Sequence, residues 1–195
     1  MLNSSTPAPP ATASGAFAHA LVSTHLPDAI VATGVDHDQV SMQVLATRLT
    51  DVAKLLRDDP AGRYEMPVFM TCVDWPEREE RFEVVYALRS LWRNDVVRIT
   101  VHVAEDEELP SLAGLFSGME WHERECFDLF GLRLVGHPDL RRILLPDDWE
   151  GHPLRKDYVS FGEPVAFTHN MEWALSPQDR PEHIPGATRG SVERP

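Results

Sequence analysis

The chain has 195 residues, 43% of them hydrophobic, with 31 acidic against 18 basic residues and a formal charge of −13. That hydrophobic fraction supplies a core for one globular domain and excludes a globally disordered chain. The charge excludes a general nucleic-acid binder, which needs a surplus of Lys and Arg, and an electrostatic hold on anionic lipid, while leaving room for a protein partner with a basic face.

Residues 1–14 are Ser, Thr, Pro and Ala and read as a disordered arm; they lack the basic and continuous apolar stretches of a signal peptide. Residues 15–104 read as an α+β domain. Gly15 to Leu26 carries Phe17, Ala20 and Leu21 at helical spacing, and Pro27 ends it. Ala29–Val35 and Val40–Val44 are short strands joined by the polar turn Asp36-His37-Asp38. Leu45 to Arg57 is a helix with Leu45, Leu49, Val52, Leu55 and Leu56 on one face, closed by Asp58-Asp59-Pro60.

Three strands follow. Met66–Val73 is mostly apolar and reads as a buried strand, Arg81–Leu91 puts Phe82, Val84, Tyr86 and Leu88 on one face, and Val96–Val103 alternates valine and isoleucine with polar residues. The fold expected is a two-layer α+β domain, helix–two strands–helix–three strands, with the helices on one sheet face.

Residues 105–131 read as short helices: Pro110 to Gly118 with Leu112, Leu115 and Phe116 inward, then a helix ending at Gly131 with Trp121, Phe127 and Phe130 as its apolar members. Residues 132–175 read as an extended segment that cannot form its own core, and 176–195 as an irregular tail.

The chemistry-bearing motifs are few. Cys72 and Cys126 cannot by themselves ligate a four-cysteine zinc or iron–sulfur site, and nothing suggests a disulfide framework, which favours a reducing compartment. No apolar stretch approaches the roughly 20 residues of a membrane span. His122-Glu123 lacks the second imidazole of a zincin helix, because position 126 is Cys. A metal-dependent hydrolase would have to draw on His122, Glu123, His137 and His152, without ligand spacing to support it. Gly-His-Pro occurs twice, at 136–138 and 151–153, and fixes two turns whose histidines are better suited to hydrogen-bonding backbone than to catalysis. Phosphate loops, dinucleotide fingerprints and nucleophile elbows do not occur in the sequence.

Between them run Asp139-Leu140-Arg141-Arg142 and Leu154-Arg155-Lys156-Asp157-Tyr158, framed by Ile143, Leu144, Leu145 and Trp149 with no helical or strand period. Apolar side chains without a period need another surface to cover them, and Trp and Arg are frequent interface anchors. Residues 120–175 therefore read as a protein-binding segment.

Trp121 to Tyr158 closely resembles the signature of the 30 kDa subunit (the C subunit) of proton-pumping NADH:quinone oxidoreductase, respiratory complex I. The family block ERE-x-aromatic-D-x-aromatic-G is met by Glu123-Arg124-Glu125, Phe127-Asp128 and Phe130-Gly131; GHPDLRRIL by Gly136 to Leu144; and GHPLRKD-aromatic by Gly151 to Tyr158. Upstream, Asp74-x-Pro76 and Arg81-Phe82 resemble the family's D-x-P…RF strands. Val159-Ser160 departs from the Pro-Leu of many relatives, and the tail from Ser176 matches nothing in the family pattern.

The resemblance implies an α+β subunit of the peripheral arm, on the cytoplasmic side of a bacterial membrane and attached to it only through the complex. It implies docking on the quinone-site large subunit (the D subunit), with the B and I subunits nearby, and a C-terminal segment wrapping over that large subunit. It implies no redox centre in this chain; NADH, FMN, iron–sulfur clusters and quinone belong to the complex. The expected interface residues are Glu123, Arg124, Glu125, Asp128, Gly131, His137, Pro138, Asp139, Arg141, Arg142, Trp149, His152, Pro153, Arg155, Lys156 and Asp157. The short motif also occurs in related subunits of membrane-bound hydrogenases and of ferredoxin- or F420-linked complexes.

Overall fold

The computed structural model describes residues 13–158; the expectations for residues 1–12 and 159–195, including the wrapping segment beyond Tyr158, lie outside the described residues. Helix α1 (Ala16–His25) leads to a hairpin of β1 (Ile30–Asp36) and β2 (Gln39–Val44), then to α2 (Leu49–Asp58). Three long strands follow: β3 (Met66–Asp74), β4 (Phe82–Ser90) and β5 (Asp95–Val103). The chain closes with β6 (Glu108–Pro110), α3 (Met119–Phe130) and β7 (Arg133–Val135).

The five long strands form one sheet of order β1-β2-β5-β4-β3, antiparallel except where β2 runs parallel to β5. Strand alternation explains its two faces. Phe82, Val84, Tyr86 and Leu88 of β4 stand opposite Val103, Val101, Ile99 and Val97 of β5, and all eight are buried. Each such side chain removed from water is worth about 1.5–3 kcal/mol. The other face carries Ser41 beside Arg98 and Gln43 beside Thr100. Ala18 and Val22 of α1, Leu49, Val52 and Leu56 of α2, and Met119, Cys126 and Phe130 of α3 join the apolar face in a single core.

Local chemistry sets the boundaries. The β1–β2 turn places His37 and Asp38 at φ 47° and 58°, the left-handed pair a two-residue hairpin needs. Leu45 lies outside α2 and is exposed, because Ala46–Arg48 forms a 3₁₀ turn before the helix starts at Leu49. After α2, the Asp59 carboxylate accepts the N–H groups of Ala61 and Gly62, which turns the chain toward β3.

The structure corrects several readings. Strand β3 is not buried throughout: it is a sheet edge, with Met66, Val68 and Val73 exposed while Met70, Cys72 and Asp74 point inward. Leu91 leaves the sheet and is exposed. Residues 111–118 form turns rather than a helix, although Leu112 and Phe116 are inward as expected. The start of these turns is held by Glu123, whose buried carboxylate takes the N–H of Leu112 (2.6 Å) and the hydroxyl of Ser111 (2.5 Å). Just before these turns, β6 pairs in parallel with β7, two three-residue strands too short to show alternation. At the other end, Ser14 is held: its backbone N–H donates to Asp38, and its hydroxyl bonds to Asp95 and Val96.

Candidate functional site: a fastened C-terminal segment on helix α3

Helix α3 ends where Gly131 adopts φ 75°, a conformation glycine reaches without steric cost. Substituents there would meet His152 and Arg155, since a Cβ built on Gly131 lies 2.5 Å from His152 Nε2 and 2.7 Å from an Arg155 nitrogen. The chain thus folds back tightly against the end of the helix.

The two Gly-His-Pro turns bracket α3. His137 Nδ1 accepts the Asp139 N–H (3.1 Å), so Nε2 carries the proton it gives to the Glu120 carbonyl in the first turn of the helix (3.2 Å). His152 Nδ1 donates to the Asp128 carbonyl near its last turn (2.8 Å). Burial holds the His152 pKa below the ordinary imidazole range, in keeping with a neutral ring. Eight residues of helix separate the two attachment points, roughly 12 Å at 1.5 Å per residue, too far for one metal ion to be shared. Of the set His122, Glu123, His137 and His152, Glu123 and His137 approach to 3.9 Å while His152 stands apart, and among the described residues no three His, Cys, Asp or Glu side chains form a metal-holding group.

Three charged nodes complete the fastening. Arg124, nearly buried, donates to the carbonyls of Arg141 (3.2 Å) and Arg142 (3.1 Å). Asp128, fully buried, receives Arg142 at 2.7 Å and the N–H groups of Ile143, Leu144 and Leu145. Arg142 also reaches the carbonyls of Trp149 and Gly151, closing the loop between them.

The third node ties the segment to the sheet. Arg81 grips Asp74 with two bonds (2.7 and 2.9 Å) and Asp157 with two more (2.7 and 3.1 Å), and also reaches Glu105 (2.9 Å). Arg155 donates to the Phe130 carbonyl and to Glu105, and the Lys156 N–H bonds Asp74. Arg81 holds the Asp74 carboxyl below the usual range against the opposing effect of burial.

The expected interface residues thus divide. Glu123, Arg124, Asp128, Gly131, His137, Arg142, His152, Arg155 and Asp157 are engaged within the chain. Trp149 and Pro153 are half-buried. Glu125, Pro138, Asp139, Arg141 and Lys156 are exposed; Asp139 pairs with Arg141 at 2.9 Å. Within α3, Glu123 and Arg124 are buried with Cys126, while Trp121, expected among the apolar members of the helix, is exposed.

Two residues outside the expected interface are central: Arg81 and Asp74. Their signal was the upstream D-x-P…RF pattern, which spaces the pair across one hairpin. Along α3 and residues 138–156 the exposed side chains include apolar Trp121, Leu144 and Leu154 and charged Arg141, Glu125 and Lys156. Arg124 links the two, lying 5.1 Å from the Trp121 ring while holding the Arg141 carbonyl.

Comparison with known proteins agrees with this architecture. The chain is 47% identical over 148 residues to the NADH-quinone oxidoreductase C subunit of Roseiflexus sp. (strain RS-1), covering 75% of this chain and 85% of the relative. It is 40% identical over 141 residues to the protein of the same name from Rhodobacter capsulatus, covering 72% and 71%. Its fold is shared with a chain of the membrane-bound sulfane sulfur reductase, an archaeal respiratory membrane complex, at a TM-score of 0.61 and 20% identity, covering 74% of this chain and 85% of that one. Residues 42–164 match the family model described as respiratory-chain NADH dehydrogenase, 30 Kd subunit; with the motif residues built into one fastened segment on α3, the chain belongs to that family.

Proposed function

We propose that this chain is a non-redox docking subunit of the peripheral arm of a proton-translocating NADH:quinone oxidoreductase, seated on the quinone-site large subunit with the B and I subunits nearby. The observation that carries this reading is the surface over α3 and residues 138–156. Its backbone is fixed by buried ionic nodes, while Trp121, Arg141, Leu144 and Leu154 stand outward. Aromatic, apolar and arginine side chains presented together from a fixed backbone are the composition of an interface centre. The relatives' name, which places them in NADH-quinone oxidoreductase, supports the assignment to that complex rather than to a hydrogenase.

In this role the chain contributes position rather than electron transfer. NADH, FMN, iron–sulfur clusters and quinone are bound by neighbouring subunits. The complex sits at the membrane with this chain on its cytoplasmic side, and among the described residues no helix is long and apolar enough to cross a membrane.

Purification of the full-length chain through an affinity tag, from membranes of its source, tests the reading. The expected result is co-purification of the quinone-site large subunit together with the flavin- and NADH-binding module. Co-purification of a nickel-ligating large subunit instead would assign the chain to a hydrogenase-type complex.

A further inference from the structure

Asp128 has more partners than the last turn of a helix requires. One carboxylate oxygen accepts three consecutive backbone N–H groups, from Ile143 (3.0 Å), Leu144 (2.8 Å) and Leu145 (2.9 Å). The other accepts Arg142 at 2.7 Å. Successive backbone N–H groups curled about one point form the concavity by which proteins bind anions. Here the anion is a side chain of the protein itself.

Residues 141–145 belong to no helix or strand; Arg124 holds the carbonyls of Arg141 and Arg142, and the Asp128 carboxylate gathers the three N–H groups that follow. The side chains leaving the curl outward are Arg141, with 69% of its side chain exposed, and Leu144, 61% exposed. Without such a support, a polar segment rich in Gly and Pro takes up one conformation only on meeting its partner, and that ordering weakens binding.

We infer that Asp128 is the positioning residue of the docking face, and that it sets Arg141 and Leu144 in place before the large subunit arrives. The inference rests on the docking function proposed above. It makes the 141–145 curl a preformed element of the free chain rather than one that folds on assembly.

Hydrogen exchange of the full-length free chain, followed amide by amide by NMR, tests it together with capture by the purified large subunit. In the wild type the amides of residues 143–145 should be protected. Asp128→Ala should speed their exchange about 10- to 100-fold, the effect of losing charge-assisted bonds. The amides of β4 should stay protected, and capture should weaken in parallel. Formate, small enough to enter the vacated curl, should restore part of both, a response that loss of general stability would not give. If Asp128→Ala also loses the β4 amides, Asp128→Asn replaces it, since it keeps the volume and removes the charge. Fast exchange at 143–145 in the wild type, or unchanged exchange in a folded variant, would overturn the inference. Leu144→Asp leaves the curl intact and tests docking alone: normal capture of that variant would overturn the docking role, whatever the exchange result.

Discussion

Glu123 and Asp128 lie five residues apart on the same helix, are both fully buried, and are driven in opposite directions. Burial is the largest influence on Glu123 and pushes its pKa up, against the hydroxyl of Ser111 and the N–H of Leu112. For Asp128 burial again acts upward, but the Leu145 N–H, Arg142 and the N–H groups of Leu144 and Ile143 together outweigh it and hold the pKa low. A carboxylate lowered by folding stabilises the fold above its unfolded pKa, near 3.9 for Asp, and loses that contribution as pH falls through the folded value. A raised carboxylate stabilises at low pH and loses its contribution as pH rises from about 4.3 through the folded value. Urea unfolding across pH should therefore show the deficit of Asp128→Asn steady from pH 7 to 5 and shrinking below about pH 4. Glu123→Gln should instead gain on the wild type as pH rises above about 4.3.

Gly131 tolerates no side chain. Its left-handed backbone and the contacts of His152 and Arg155 leave no room for a Cβ. Gly131→Ala should cost about 1–3 kcal/mol in urea unfolding. It should also detach His152 from the Asp128 carbonyl, visible as a shift of the His152 ring resonances.

Between elements, the Arg81 guanidinium is the most heavily bonded tie from the sheet to the fastened segment, beside the Lys156 N–H on Asp74 and Arg155 on Glu105. Arg81 keeps 10% of its side-chain surface exposed and Asp74 none. Replacing Arg81 by Met strands the Asp74 carboxylate, and breaking a buried pair from one side costs about 3–5 kcal/mol. Because Asp157 is largely exposed, Asp157→Asn should change stability far less. Comparison of the two variants in urea unfolding checks that order.

The strands of this domain were legible because alternation survives in isolation: Phe82, Val84, Tyr86 and Leu88 repeat at period two whatever they face. The hold on Ser111 and Leu112 was not, because the Glu123 carboxylate that bonds them arrives from later in the chain. The same holds for Arg142. Sequence marks it and Arg141 as neighbouring cations of equal standing, yet Arg142 turns inward to Asp128 while Arg141 remains outside. Family motifs identified the residues but not which way each one points, since that is set by partners up to 82 positions distant, as between Lys156 and Asp74.

Across the whole molecule, a fastening is distinct from a face. A chain of net charge −13 uses most arginines of its motif-bearing segment internally, and that segment exposes Arg141, Leu144 and Leu154 from a backbone that is already fixed. Such a face fits a subunit whose work is to be held in the right place within an assembly. If the face serves assembly rather than chemistry, Arg141→Glu in the native complex separates the two. Among the described residues the Arg141 side chain is exposed and pairs only with exposed Asp139, so the variant should fold normally. The amount of assembled peripheral arm should fall, while NADH:quinone turnover per assembled complex stays at the wild-type value. Full assembly with collapsed turnover would instead mean that the face takes part in the chemistry.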